Sequence, residues 1–291
     1  MKTQFRAVLL GLFDGVHLGH AAACRALCKS GADIKTVYTF RSAELKTKGE
    51  RRLILNDSEK EQKLLSLGSD EVIFAPFAEV RDFSPAEFIQ KVIINQLGAD
   101  KVICGENFRF GKDALGDCDI LRGLLAHEGI ELEVVPTVTY DGEIVSTTRI
   151  RKLLEQGDIK AANRLLGYKY FLKGTVLHGD ARGRKMGIRT INTSFDGQKI
   201  LPPGGVYSSD VIIGGKRYMG VTNVGVRPTF YESGEIGIET HIIDFDGDVY
   251  SNTVSILFNK FYREEKKFSD AAALIETIKG DIERRKEESN E

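Results

Sequence analysis

Apolar and polar positions follow two rhythms along this chain, and the change comes near residue 168. Before it, short apolar runs alternate with segments of helical spacing, the order expected of a parallel sheet covered by helices. Strands are predicted over residues 6–13, 34–40, 71–76, 101–104 and 131–136. Ser84-Pro-Ala-Glu87 supplies an N-cap, a first-turn proline and a capping-box glutamate, and Gly98 ends the helix that follows. Gly68, Gly129, Gly157 and Gly167 stand just after other helical runs, as left-handed C-terminal residues do.

After residue 168 glycine-rich turns separate runs of period-two alternation. Strands are predicted over 168–177, 204–213, 217–224, 236–245 and 252–261, with Gly214-Gly215 as a hairpin turn. A small antiparallel barrel is the simplest closure. A helix over 269–285 would cover one side, and 287–291 reads as a frayed charged tail. The expected domains are therefore 1–167, α/β with a parallel sheet, and 168–291, a β-barrel with a C-terminal helix.

At 291 residues and 42% apolar content, with no apolar run long enough to span a bilayer, the chain suits two medium domains. Forty-one Lys plus Arg balance forty-two Asp plus Glu, so no global field draws it to nucleic acid or anionic lipid. Any polyanion it binds is small. Met1 to Phe5 leads into a strand without an apolar leader region, which argues for the cytoplasm. Cys24, Cys28, Cys104 and Cys118 form no C-x-x-C pair and read as ordinary reduced thiols.

The densest chemistry lies in Gly11-Leu-Phe-Asp-Gly-Val-His-Leu-Gly-His20, where an apolar run turns into a helix. His17 and His20 are three apart and share the face of a first helical turn. A helix start offers unpaired N–H groups and the positive end of its dipole, so two imidazoles there suit phosphate oxygens. Three segments could join this loop. Gly105-Glu-Asn-Phe-Arg-Phe-Gly111 carries an aromatic pair and Arg109, suited either to a ring and a phosphate or to a buried turn. Ser146-Thr-Thr-Arg-Ile-Arg151 is a hydroxyl-rich helix start with two arginines, and Thr39-Phe40 is a strand end facing the same sheet edge.

In the second half, Gly174 to Gly187 reads as a strand running into a glycine-rich basic loop, either a phosphate cradle or a flexible hairpin. The oxygens of Thr190 and Asn192 suit a hard cation such as Mg²⁺. In Ile236-Gly-Ile-Glu-Thr-His-Ile-Ile243 the isoleucines at 236, 238 and 242 share one face, which turns Glu239 and His241 to the other.

The H-x-G-H element after a strand resembles the nucleotidylyltransferase signature. Together with Gly105 to Gly111, Ser146 to Arg151 and the β domain that follows, it makes nearly the whole chain resemble bacterial bifunctional riboflavin kinase/FAD synthetase. That resemblance implies a Rossmann-like nucleotidylyltransferase domain using ATP to adenylylate FMN, giving FAD and pyrophosphate. It also implies a riboflavin kinase barrel that makes FMN from riboflavin with ATP and Mg²⁺. Carried over by residue, His17 and His20 meet ATP phosphates, with Gly11, Phe13, Asp14, Gly19, Ser146, Thr147 and Arg149 around the nucleotide. Asn107, Phe108 and Arg109 lie by the flavin. In the kinase half, Gly174, Gly179, Gly183 and Arg184 face ATP, Thr190 and Asn192 hold the metal, and Glu239 is the base for the ribityl hydroxyl.

Two departures from the family pattern stand out. Arg189-Thr-Ile-Asn192 replaces P-T-A-N, so a rigid proline is lost and Ile191 is expected to add bulk beside the metal site. After Phe40, Arg41-Ser-Ala-Glu44 replaces D-P-H-P and a family histidine is missing. The rival readings are an enzyme with only one of the two activities and a non-catalytic flavin or nucleotide sensor.

Overall fold

The computed structural model describes residues 4–44, 52–177, 188–226, 236–266, 268 and 270–288. The chain divides into two compact units, Met1–Arg149 and Ile150–Glu291, the division falling inside the helix Thr147–Glu155. The change of rhythm near residue 168 marks where the barrel strands begin.

In the first unit, β1 (Arg6–Leu10), β2 (Ile34–Phe40), β3 (Glu71–Ala75), β4 (Lys101–Gly105) and β5 (Glu131–Val135) form a parallel sheet ordered β3-β2-β1-β4-β5. Val8, Val102, Cys104, Leu121 and Leu125 are among the fully buried residues of its core. The sheet order reverses between β1 and β4, the point at which loops beyond the strand ends leave a crevice for ligands. β1 stops three residues earlier than its apolar run suggests. Phe13 and Val16 have φ of 51° and 37°, and such left-handed residues break a strand. Ser84 forms its capping box with Glu87 as expected, and the following Ile89–Gln96 winds as a π-helix. A short hairpin, β6 (Thr139–Tyr140) and β7 (Glu143–Ile144), precedes the helix at Thr147.

In the second unit, β8 (Phe171–Leu177), β9 (Thr190–Thr193), β10 (Gly205–Ile213), β11 (Lys216–Val226), β12 (Ile236–Ile242) and β13 (Thr253–Arg263) close an antiparallel barrel ordered β10-β11-β12-β9-β8-β13. The β10–β11 turn is Gly214-Gly215 with φ of 54° and 81°, as a type I′ hairpin needs. β9 is a strand the sequence pattern did not predict. Its four residues are too short for a periodic signal, and it forms because its edges pair with β12 and β8. Inside the barrel the buried hydroxyls of Ser209, Thr222 and Thr240 form a chain, 2.8 and 2.9 Å apart. The helix Ala271–Glu287 is fastened where Arg285 donates to the Ser209 carbonyl and to Asp210, 2.6 Å away.

Candidate active sites

At the switch point of the first unit, the chain leaves β1 through Gly11. The Phe13 ring lies so close to Gly11 that a β-carbon there would come within 2.8 Å of it. Phe13 is buried and meets His20 edge-on, with centroids 5.2 Å apart. Its side chain therefore shapes the loop from within. His17 is the N-cap of the helix Leu18–Lys29, and its Nδ1 accepts the Gly19 N–H at 3.2 Å. That bond leaves the proton on Nε2. The His17 and His20 rings stack at 3.8 Å, and burial lowers the His17 pKa to about 4 and that of His20 well below 6.5. Both are neutral hydrogen-bonding groups at pH 7.

The helix start beyond β7 is tied to the same loop. Thr147 Oγ1 donates to the Asp14 carbonyl at 3.1 Å, and Ser146 Oγ accepts the Arg149 N–H at 3.3 Å. The Arg149 guanidinium turns to the hairpin, donating to the Tyr140 and Glu143 carbonyls and pairing with the Glu143 carboxylate at 3.1 Å. Beyond β4, Phe108 is half-buried and lies parallel to the buried Phe110, centroids 5.8 Å apart, so one aromatic forms the turn and the other presents a ring. Asn107 donates to Thr137 Oγ1 at 3.2 Å, and exposed Arg109 donates to the Phe108 carbonyl.

Sequence reasoning missed Lys60 at this end of the sheet. It lies in the helix Asp57–Ser66, is 2% exposed, and donates to the Phe40 carbonyl at 2.7 Å. A lysine within an otherwise polar helix pattern carries no signal of burial.

In the barrel, Glu239 on β12 lies directly opposite Asn192 on β9 and Asn223 on β11. Thr190 Oγ1 donates to Glu239 Oε1 at 2.5 Å, and His241 Nδ1 lies 2.7 Å from the Arg189 carbonyl. Exposed Glu239 alternates with buried Ile238 and Thr240. The structure thus brings together Thr190, Asn192 and Glu239, and adds Glu265, which accepts from Asn223 Nδ2 at 2.9 Å. The segment Arg263 to Phe268 resembles a family segment, but no feature of the sequence assigned Glu265 a role of its own, because it lies just beyond the end of β13 and outside any periodic run. Gly174 lies within β8, where a β-carbon would run into the Ser194 carbonyl, so close backbone approach explains that glycine. Gly179, Gly183 and Arg184 lie outside the described residues.

The Arg189 and Ile191 substitutions are accommodated differently from what their sizes suggest. Ile191 packs on the barrel core with Val176, Val211 and Ile242, away from the Glu239 face. Arg189 pairs with Asp246 while its carbonyl meets His241, so two contacts hold the segment that a proline would stiffen.

The chain matches the FAD synthetase family model over residues 2–149 and the riboflavin kinase family model over 166–288. It is 33% identical to a bifunctional riboflavin kinase/FMN adenylyltransferase of Pseudomonas fluorescens, covering 94% of this chain and 89% of that one. To the Bacillus subtilis protein of the same name it is 34% identical, covering 96% and 92%. A crystal structure from Streptococcus pneumoniae described as a macrolide-efflux protein superimposes with a TM-score of 0.87 at 30% identity, over 98% of this chain and 95% of that one. Among the described residues no helix is long and apolar enough to cross a membrane. Two family models in tandem and relatives matched over nearly their full length lead to one conclusion: the chain belongs to the bifunctional riboflavin kinase/FMN adenylyltransferase family, enzymes of FMN and FAD synthesis that use ATP and flavins as substrates.

Proposed function

We propose that the barrel phosphorylates riboflavin at the Glu239 face, and that the first unit adenylylates the resulting FMN at the His17/His20 loop. In the barrel, Glu239 takes the proton of the ribityl 5′-hydroxyl as that oxygen attacks the γ-phosphorus of ATP and ADP leaves. The Thr190 hydroxyl, donating to Oε1, orients the carboxylate and leaves Oε2 for the incoming proton. Thr190 and Asn192 offer a hydroxyl and an amide oxygen beside the Glu239 carboxylate, hard oxygen donors that fit Mg²⁺ carried in with ATP. When bound, the ion supplies neutralisation of charge on the phosphate oxygens.

In the first unit an FMN phosphate oxygen attacks the α-phosphorus of ATP and the bond to pyrophosphate breaks. No proton need be removed from the ionised nucleophile, so neutral imidazoles are suitable partners. His17 Nε2–H and the start of the helix Leu18–Lys29 donate to phosphate oxygens, while the Phe108 face is the surface for the flavin ring. Unpaired thiols at Cys24, Cys28, Cys104 and Cys118 support a cytoplasmic setting.

The observation that carries this reading is the Thr190–Glu239 hydrogen bond, because a base must be held in one orientation to serve a positioned hydroxyl. The test is chromatographic separation of riboflavin, FMN and FAD after incubation with ATP and Mg²⁺. Glu239→Gln is expected to lower FMN formation about a hundredfold or more while FAD still forms from supplied FMN. His20→Ala is expected to do the reverse. Equal loss of both reactions in either variant would refute the division.

A further inference from the structure

We propose that Lys60 is a positioning residue of the adenylyl-transfer loop: its buried ammonium holds the carboxyl end of β2 against that loop and sets a positive charge at that end of the sheet. Lys60 Nζ donates to the Phe40 carbonyl at 2.7 Å and stands 3.5 Å from the Asp57 carboxylate, over the Phe74 ring. Asp57 in turn accepts from the Ser42 N–H at 2.9 Å and the Ser42 hydroxyl at 2.8 Å. One lysine thus ties the helix Asp57–Ser66 to the last residue of β2 and the turn after it. The neighbouring Thr39 donates to the Leu12 carbonyl at 3.1 Å, and Leu12 precedes the Phe13 that packs edge-on against His20.

The partners of this ammonium do not use it up. Its shortest bond is to a neutral carbonyl, and the Asp57 carboxylate is farther than a charge-assisted hydrogen bond would place it. Burial lowers the Lys60 pKa from its ordinary 10.5 while the charges of Asp57 and Asp14 work against that shift; a side chain needed only for bulk would not place an amine at 2% exposure. The charged and titratable groups around it are Asp57, Asp14 and Arg41, and those around His20 are His17 and Lys60. Burial is the largest influence on His20, and the positive charge of Lys60 acts in the same direction, holding the imidazole neutral. A neutral His20 keeps a lone pair and an N–H for hydrogen bonding where phosphates are expected, while Lys60 supplies the positive field.

This inference rests on the assignment of adenylyl transfer to the His17/His20 loop. The test compares the full chain with its Lys60→Met, Lys60→Gln and Lys60→Arg variants. FAD formation from supplied FMN and ATP is measured, with riboflavin phosphorylation as the internal control and the His20 ring titrated by NMR. Lys60→Met is expected to lower kcat for FAD formation about tenfold or more, leave phosphorylation within about twofold, and move the His20 titration to higher pH. Lys60→Gln, which keeps a donor for the Phe40 carbonyl, is expected to show the same directions and serves if methionine prevents folding. Lys60→Arg is expected to restore most of the rate and the parental His20 titration. Parental FAD formation in the neutral variants would overturn the proposal, as would a loss of rate with an unmoved His20 titration or with no rescue by arginine. Undiminished FAD formation in His20→Ala would instead refute the site assignment itself.

Discussion

The His17 and His20 imidazoles stack with centroids 3.8 Å apart and planes 16° from parallel, at the mouth of a helix that His17 itself caps. Their burial has a consequence for stability. The folded-state pKa of His17 lies near 4, below its ordinary value of 6.5, because burial disfavours the charged ring. Between those values the unfolded chain binds a proton that the folded chain does not, so stability is lost as pH falls through that window. For His17 the loss approaches about 3 kcal/mol. Thermal unfolding of the parent is expected to shift down between pH 7 and pH 5. His17→Asn, which keeps an N-cap acceptor, should flatten that dependence. Parallel pH profiles would refute the assignment.

Thr190 and Glu239 make a second local test. Thr190→Val keeps shape but removes the hydroxyl that donates to Oε1. FMN formation is expected to fall about tenfold or more, with the KM for ATP raised, while FAD formation from supplied FMN is unchanged. A parental rate of FMN formation would show that the hydroxyl does not orient the base.

Gly174 is a structural requirement of the barrel. Gly174→Ala would drive a methyl group into the Ser194 carbonyl and push β9 away from β8. A loss of about 3 kcal/mol or more in barrel stability is expected, read as a lower melting temperature with loss of riboflavin phosphorylation. Adenylyl transfer should survive. A melting temperature equal to the parent's would show that the strands can part without cost.

The four thiols should differ in reactivity. Burial pushes the Cys24 and Cys104 thiols up to about 12, with the adjacent Cys118 adding to the shift at Cys104, whereas Cys28 is exposed. Alkylation of the native chain at pH 8, followed by peptide mass mapping, is expected to modify Cys28 first and spare Cys24 and Cys104. Labelling of Cys104 as fast as Cys28 would contradict the burial.

The sequence alone determined most of the architecture, because its information is local and periodic. Apolar runs separated by helices specify a parallel sheet, and period-two runs broken by Gly214-Gly215 specify a barrel. The H-x-G-H spacing placed two imidazoles on one helical face, and the isoleucine alternation turned Glu239 away from the core. Tertiary structure decided what depends on partners distant in the chain. β9 exists only through pairing with β12 and β8, which puts Thr190 on Glu239 across 49 residues. Ile191 points into the core because strand pairing, not side-chain size, sets the face it occupies. Burial, which no single motif encodes, made the histidines neutral and enclosed Lys60 under the end of β2. Spacing in sequence selects which groups can share a face; packing from the rest of the chain sets their charge and their partners.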